Sequence, residues 1–180
     1  SAFRRPGAEI KEGLIPVNMF YVSQSLTDNL SAEAFYQLEW DQTVVDNCGT
    51  FLSQPDIVAD GCDNNLRVLN KRSQIPAVAL GPLAANGVNV NEEGVLVRRG
   101  GDRDARDSGQ WGASLKYMFE PLDTEFGAYF MNYHSRAPIF SATGAPQSVY
   151  NTARGLPGPF AALAPLLVAG NSEYFIEYPE

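Results

Sequence analysis

An alternating pattern over residues 110–134 most strongly limits what this chain can fold into. From Gln110 to Phe119 one set of alternate residues is apolar and carries aromatic side chains at both ends: Trp111, Ala113, Leu115, Tyr117 and Phe119. The residues between them are polar or small, apart from Met118. An alternation of this kind is typical of a β-strand with two different faces. It describes a half-buried strand of a soluble sheet, and equally a barrel strand that crosses a bilayer between two aromatic girdles.

Residues 109–136 are predicted to form a β-hairpin. A second strand, Glu125–His134, follows the first after the short segment 120–124. A connection of this length joins antiparallel neighbours.

A further hairpin is predicted over residues 15–44, with strands at 15–24 and 32–44 and a seven-residue connection between them. One face of its second strand is apolar and carries Ala34, Tyr36, Leu38 and Trp40. The other face carries Glu33, Gln37, Glu39, Asp41 and Thr43, with Phe35 as the exception. A face with three carboxylates must meet water, either outside a soluble sheet or in the lumen of a barrel.

Long stretches without a sustained period separate these hairpins, at residues 45–108 and 137–171. Within the first, residues 77–80 and 94–98 are candidates for minor strands or helical turns. A last strand is predicted at 172–178. Short connections within hairpins and long ones between them are typical of outer-membrane barrels, which need about eight strands or more. Because the chain offers fewer, we interpret residues 1–180 as a single segment of a larger barrel.

Composition excludes some classes of protein. The net charge of −8 argues against a nucleic-acid partner, because phosphate binding needs a basic surface. The longest apolar run, residues 160–169, is interrupted by Pro165 and is too short for a membrane-spanning helix. The N-terminal residues lack the apolar core of a signal peptide, so an exported form would be a mature or internal segment.

Cys48 and Cys62 are the chain's two cysteines, and thirteen residues rich in turn formers and acids lie between them. We expect a loop-closing disulfide formed in an oxidising compartment. The alternative is a pair of free thiols in a cytosolic loop. A metal site is disfavoured, because His134 is the single histidine that could complete a set of ligands.

No catalytic constellation stands out. His134 has no assigned nucleophile beside it, and we expect it near a strand end, facing lumen or loop. Residues 102–107 alternate acids with arginines and lack the glycine and the bidentate glutamate of a calcium loop. We therefore expect no enzyme activity, no metal and no cofactor.

Several longer strings add a resemblance. They are residues 9–16 (EIKEGLIP), residues 30–41 (LSAEAFYQLEWD), the Cys48/Cys62 loop ending in 60–63 (DGCD), and residues 127–136 (GAYFMNYHSR). Together they resemble the bacterial "domain of unknown function 1302" family of large outer-membrane proteins. The resemblance implies an outer-membrane location, a parent barrel several times this length, and a role in moving hydrophobic compounds or lipid-like polymers.

The predicted fold class is therefore all-β, with antiparallel hairpins of a partial outer-membrane barrel and long extracellular loops. The residues expected to face lipid are Tyr36, Leu38, Trp40, Trp111, Leu115 and Tyr117. The residues expected to face the lumen are Glu33, Glu39, Asp41, Ser114 and Lys116. The expected partners are membrane lipid, hydrophobic small molecules or lipids as cargo, and the remaining strands of the parent barrel. The alternatives are a secreted or periplasmic antiparallel β binding module with no transport role and, less favoured, a hydrolase completed elsewhere in a longer parent.

Overall fold

The computed structural model describes residues 6–51, 53, 56–69 and 71–180. Its strands are β1 (Met19–Thr27), β2 (Leu30–Gln37), β3 (Arg67–Val68), β4 (Val90–Asn91), β5 (Gly94–Leu96), β6 (Arg98–Arg99), β7 (Gln110–Phe119), β8 (Thr124–Asn132), β9 (Ile139–Thr143) and β10 (Glu173–Glu177). Its α-helices are α1 (Ala77–Ala85), α2 (Gln147–Arg154) and α3 (Ala164–Gly170). Mostly antiparallel sheets with few helices confirm the predicted all-β class.

The chain divides into two compact units, each made of separate segments. The first unit comprises the described parts of Ser1–Thr43 with Asp104–Pro138 and Tyr178–Glu180. The second unit comprises the described parts of Val44–Arg103 with Ile139–Glu177.

The first unit contains one four-stranded antiparallel sheet in the order β1-β2-β7-β8. Its register aligns Phe20, Tyr36, Trp111 and Asn132 in one row across the four strands. At the opposite end of the strands, Leu30 pairs with Tyr117. Both predicted hairpins are therefore present as neighbours in a single sheet.

The boundaries of the first hairpin differ from the prediction. The turn between β1 and β2 is Asp28 and Asn29 rather than seven residues, because these two side chains favour turns while Ser25 and Ser31 pair in the ladder. The first strand begins at Met19 instead of residue 15, beyond Pro16. Proline has no N–H group to donate to a ladder, so it disfavours strand interiors.

The second strand of that hairpin ends at Gln37 instead of residue 44. The Leu38 N–H still donates to the Asn18 carbonyl at 2.8 Å, and the chain then leaves the sheet. The connection of the second hairpin is a short 3-10 turn, Glu120–Leu122, followed by Asp123 in the left-handed region at φ 46°.

The second unit corrects the expectation of irregular loops. Both long stretches contribute strands and helices to this unit. Its strands form two three-stranded sheets, with the orders β6-β10-β9 and β3-β5-β4. Its core combines residues from both stretches: Ile75, Ala79, Leu83, Val88, Val95, Ala153, Leu163, Leu166 and Leu167. Neither stretch has enough apolar residues at a regular spacing to predict a buried core by itself, whereas the two together bury a shared core.

Local predictions within these stretches hold in part. Residues 77–80 begin α1, and residues 94–96 form β5. The predicted last strand is β10, which pairs with β9 and β6 in the second unit and not with the strands of the hairpins. Among the described residues, no helix has both the length and the apolar character needed to cross a membrane.

Candidate functional site

The sheet of the first unit has one face on which apolar side chains are exposed, here named the apolar face. Strand register places on it Phe20, Val22, Leu30, Ala32, Ala34, Tyr36, Trp111, Ala113, Leu115, Tyr117, Phe119, Phe126, Ala128 and Phe130, with Gln24, Thr124 and Asn132 among its polar members. Phe20 is 66% exposed, Phe130 is 62% exposed and Leu115 is 48% exposed. A sheet packed in water normally shows the reverse arrangement, with apolar residues covered and polar residues outward.

Aromatic residues mark both ends of the apolar face. Phe20, Tyr36 and Trp111 lie in one row, and Tyr117 and Phe126 pair at the other end. Between the rows the side chains are mainly aliphatic. Tyr117 lies six positions after Trp111, about 20 Å along a strand. This arrangement has the form of two aromatic girdles that flank an apolar band.

The opposite side of the sheet, here named the mixed face, carries polar and apolar residues in separate rows. Glu33 is its polar centre: one carboxylate oxygen accepts from Lys116 Nζ at 3.2 Å, and the other accepts from Ser114 Oγ at 3.4 Å. The Glu33 and Lys116 side chains are 33% and 32% exposed, so the pair is half-buried. The structure thus brings together three of the residues predicted to face a lumen.

Glycines on the mixed face lie beneath aromatic rings. A Cβ atom at Gly112 would overlap the Phe35 ring, and a Cβ atom at Gly127 would lie 2.8 Å from the Tyr129 ring. Glycine inside a strand often marks such a close approach. The sequence pattern shows these glycines but not the rings that cover them, because ring placement depends on the register between strands.

Four of the residues predicted to face lipid lie on the apolar face: Tyr36, Trp111, Leu115 and Tyr117. Leu38 lies just past β2 and is 58% exposed. Among the predicted lumen residues, Glu39 and Asp41 lie past the end of β2, so strand alternation does not assign them a face. Glu39 accepts a hydrogen bond from Asn18 Nδ2 at 2.9 Å.

Trp40 departs from its predicted lipid-facing position. It is partly buried beyond β2, where its Nε1–H donates to the Ser135 carbonyl at 3.2 Å and its ring meets Tyr178 edge-on at 5.0 Å between centroids. Its backbone N–H donates to Asp107 Oδ1 at 2.9 Å. These contacts within the first unit involve residues distant in sequence, so the local alternation could not reveal them.

His134 lies just past the end of β8, near a strand end as predicted, and it is buried with 3% of its surface exposed. It faces the segment before β7, which is the loop alternative of the prediction rather than the lumen. Its Nε2 lies 2.9 Å from the Ser108 carbonyl oxygen, which can only accept, so Nε2 carries the proton. Its Nδ1 has no hydrogen-bond partner in the described structure. This histidine fastens the segment before β7 to the end of β8.

The second unit contains the predicted disulfide between Cys48 and Cys62, whose Cα atoms are 5.8 Å apart. Beside it, the Arg99 guanidinium donates to the Val58 carbonyl at 2.9 Å and the Ala59 carbonyl at 2.5 Å, inside the loop that the disulfide closes. Arg99 also pairs with Asp102 at 2.5 Å, and Asp102 Oδ1 accepts from the Ile176 N–H on β10. One buried arginine therefore links the disulfide loop to the sheet.

The pKa values of Arg99 and Tyr174 are both shifted in this part of the second unit. Desolvation disfavours the charged form of Arg99, but its hydrogen bond to Asp102 and the charge of that residue outweigh it and raise the pKa of Arg99. Burial raises the pKa of Tyr174, against the opposing influence of the Arg99 charge. The Tyr174 hydroxyl is buried and has no hydrogen-bond partner in the described part of the chain. Sequence reasoning did not single out either residue.

An open cleft of about 370 Å³ also lies in the second unit, lined by Cys48, Gly49, Asp56, Asn65, Arg67 and Glu93. Arg67 and Glu93 form an ion pair there at 2.7 Å. Within the described ranges, His, Cys, Asp and Glu side chains form no cluster suited to a metal ion.

The first unit is a sheet with one exposed apolar face and one mixed face, and the second unit contains a disulfide. These features define the class of this chain as a β-sheet protein with an uncovered amphipathic sheet. Residues 1–180 match the model of the family described as "Protein of unknown function (DUF1302)", and the chain belongs to that family. No curated protein and no solved structure matches the chain.

Proposed function

We propose that this chain is part of an outer-membrane β-barrel of a Gram-negative bacterium, a channel or transporter for hydrophobic or lipid-like compounds. One observation carries the proposal. On β7 the apolar residues at alternate positions are more exposed than the polar and small residues between them. Lipid stabilises such a face, whereas water does not.

The dimensions of the sheet support this proposal. β1, β7 and β8 have 9, 10 and 9 residues, and a tilted barrel strand needs about 9–11 residues to cross a bilayer. β1 and β8 are the outer strands of the sheet. In the proposed barrel they pair with further strands of the parent protein, because four strands are too few to close one.

Connectivity supports it as well. Two short turns, Asp28-Asn29 and 120–123, join strands at one end of the sheet. The chain segments to and from the second unit leave β2, β7 and β8 at the other end. In the proposal the short turns are periplasmic and the long stretches are extracellular; a disulfide persists in either compartment and so does not decide between them.

Apolar cargo is proposed because the mixed face is not uniformly polar. Met19, Tyr21, Tyr129 and Met131 lie on it, and each is more than half exposed. An apolar solute gains free energy by covering such side chains.

The location is tested on the full-length parent protein in its own cells. We expect it to fractionate with the outer membrane, to require detergent for extraction, and to migrate differently on a gel before and after heating. A parent that is freely soluble without detergent would contradict the proposal and favour a secreted or periplasmic binding module.

The cargo is tested by uptake. Strains with and without the gene are compared for uptake of a labelled long-chain alkane and of a labelled sugar. We expect loss of the protein to reduce alkane uptake and to leave sugar uptake unchanged. Equal alkane uptake in both strains would contradict the proposed cargo but not the barrel.

A further inference from the structure

The mixed face has its apolar and polar residues in adjacent rows that run across the strands. Tyr21, Phe35, Gly112 and Met131 are register partners in one row, and the Phe35 ring covers the glycine. This row is therefore apolar across all four strands, about 14 Å in width. Tyr21 and Met131 are 56% and 57% exposed and are open to a ligand.

The next row, two residues along each strand, carries the polar groups of this face. It contains Ser23, Glu33 and Ser114, with Tyr129 on β8 adding a hydroxyl beside its exposed ring, and Lys116 reaches the row through its bond to Glu33. The two rows are separated by about 7 Å along a strand. That spacing suits a molecule whose apolar body covers one row while its head group meets hydroxyls and a carboxylate on the other.

The charges on this face select the kind of head group. Lys116 and Glu33 are 3.2 Å apart and neutralise each other, so neither is free to bind an ion. Glu125, on the same face of β8, adds a negative charge. An anionic head would meet a cation that is already paired and a carboxylate that repels it, whereas an uncharged hydroxyl or ester head can hydrogen-bond without breaking the pair.

We infer that the mixed face binds uncharged amphiphiles, with the apolar body on the Tyr21–Phe35–Met131 row and the head group at Glu33, Ser114 and Lys116. This inference rests on the proposed function, since it names the chemical class of the cargo and the residues that meet it. Glu33 then sets specificity: it accepts a hydrogen bond from a hydroxyl head group, and it keeps Lys116 from attracting anions. An ester head group, which has no donor, accepts a hydrogen bond from Ser114 or Lys116 instead.

Photo-crosslinking of the full-length protein in native membranes tests this site. Two probes share a ten-carbon chain with a diazirine, and one ends in an alcohol while the other ends in a carboxylate. We expect the alcohol to label Tyr21, Phe35 or Met131, assigned residue by residue by fragmentation of the labelled peptides, about tenfold more than the carboxylate does at equal concentration. In Glu33→Gln, which frees Lys116, we expect the preference to move toward the carboxylate by about tenfold.

Glu120→Gln is the matched control, because it removes one exposed carboxylate from the turn between β7 and β8 and should leave the preference unchanged. Circular dichroism establishes that each variant is folded. Equal labelling by both probes, an unchanged preference in Glu33→Gln, or labelling confined to Phe20 and Phe130 would each overturn the inference. If the protein resides in the outer membrane but shows no preference between the probes, this inference is wrong and the proposed function still stands. If the parent protein is soluble, the proposed function is wrong, and the same labelling experiment still tests the binding site.

Discussion

Phe35 and Gly112 are register partners on β2 and β7, and the Phe35 ring occupies the space that a side chain at position 112 would fill. The carbonyl oxygen of Phe130, on the other neighbouring strand, is 3.2 Å from the same point. The glycine is thus required by contacts from both sides. This pairing joins the two hairpins on the mixed face, where the polar contacts of Glu33 lie in the next row.

Gly112→Ala is expected to destabilise the sheet by about 1–3 kcal/mol, because the added methyl group forces the Phe35 ring out of its position. The free energy of unfolding of the full-length protein, measured by urea titration in lipid vesicles, checks this value. Gly101→Ala is a suitable control, since a Cβ atom there meets nothing within 4 Å.

A double-mutant cycle with Phe35→Ala separates this contact from a general intolerance of side chains at position 112. Once the ring is removed, Gly112→Ala should cost clearly less, and the remaining cost is set by the Phe130 carbonyl oxygen, 3.2 Å from the added methyl group. If the two losses of stability simply add, the ring does not impose the glycine.

The sequence contains enough information to predict the two hairpins and the disulfide, because alternation and cysteine spacing are local properties. The apolar and mixed faces of β7 follow directly from that alternation. Local alternation does not predict where β2 ends, because the position of Trp40 depends on Tyr178 and Ser135, both far away in the chain. The alternation also does not predict that His134 is buried, because its contact with Ser108 brings together two segments that the alternation treats separately.

The second unit was the least predictable part. Val88 packs closely against Gly170, which belongs to the other long stretch, and β10 pairs in parallel with β6. Such long-range contacts produce no periodicity in either stretch, so both were predicted as loops. The role of Arg99 is hidden similarly, because an arginine within a charged run such as 98–107 is usually solvated.

Removal of the disulfide by Cys48→Ser with Cys62→Ser is expected to destabilise the second unit by about 3 kcal/mol on the chain-entropy model. Limited proteolysis should then cut the loop between these positions faster than in the unchanged protein. Mass measurement after alkylation without reduction, on protein isolated from its own cells, provides a direct check. Two alkylated thiols would show that the bond does not form there.

Arg99→Met is expected to destabilise the protein by about 3–5 kcal/mol, because it leaves Asp102 and two carbonyl groups without their buried cation. The neighbouring Arg98 offers a matched control: its side chain is 73% exposed, whereas that of Arg99 is 5% exposed. Arg98→Met should change stability by less than about 1 kcal/mol. Similar losses for the two variants, measured by thermal unfolding, would argue against Arg99 as the link between loop and sheet.

Tyr174→Phe is expected to be neutral or slightly stabilising near pH 7, because the buried hydroxyl that it removes has no hydrogen-bond partner in the structure as described. Burial raises the pKa of Tyr174 above its ordinary value of 10.0. The unfolded chain therefore loses this proton first, and stability falls as the pH rises from about 10 toward the raised pKa of the folded state. Unfolding titrations of both proteins across this range should show a shallower alkaline decline for Tyr174→Phe. Parallel curves would mean that Tyr174 ionises equally in both states.

Phe130 and Tyr129 offer the sharpest comparison between lipid and water as the solvent of the apolar face. They are neighbours on β8, are 62% and 65% exposed, and lie on opposite faces of the sheet. If the apolar face meets lipid, Phe130→Arg should cost about 2–4 kcal/mol near the middle of the bilayer, whereas Tyr129→Arg on the mixed face should cost much less. In a sheet with water on both sides, the two substitutions should be tolerated alike, since neither side chain is covered by protein. Unfolding of both variants of the full-length protein in vesicles measures the difference, and equal stabilities would remove the main argument for a lipid-facing sheet.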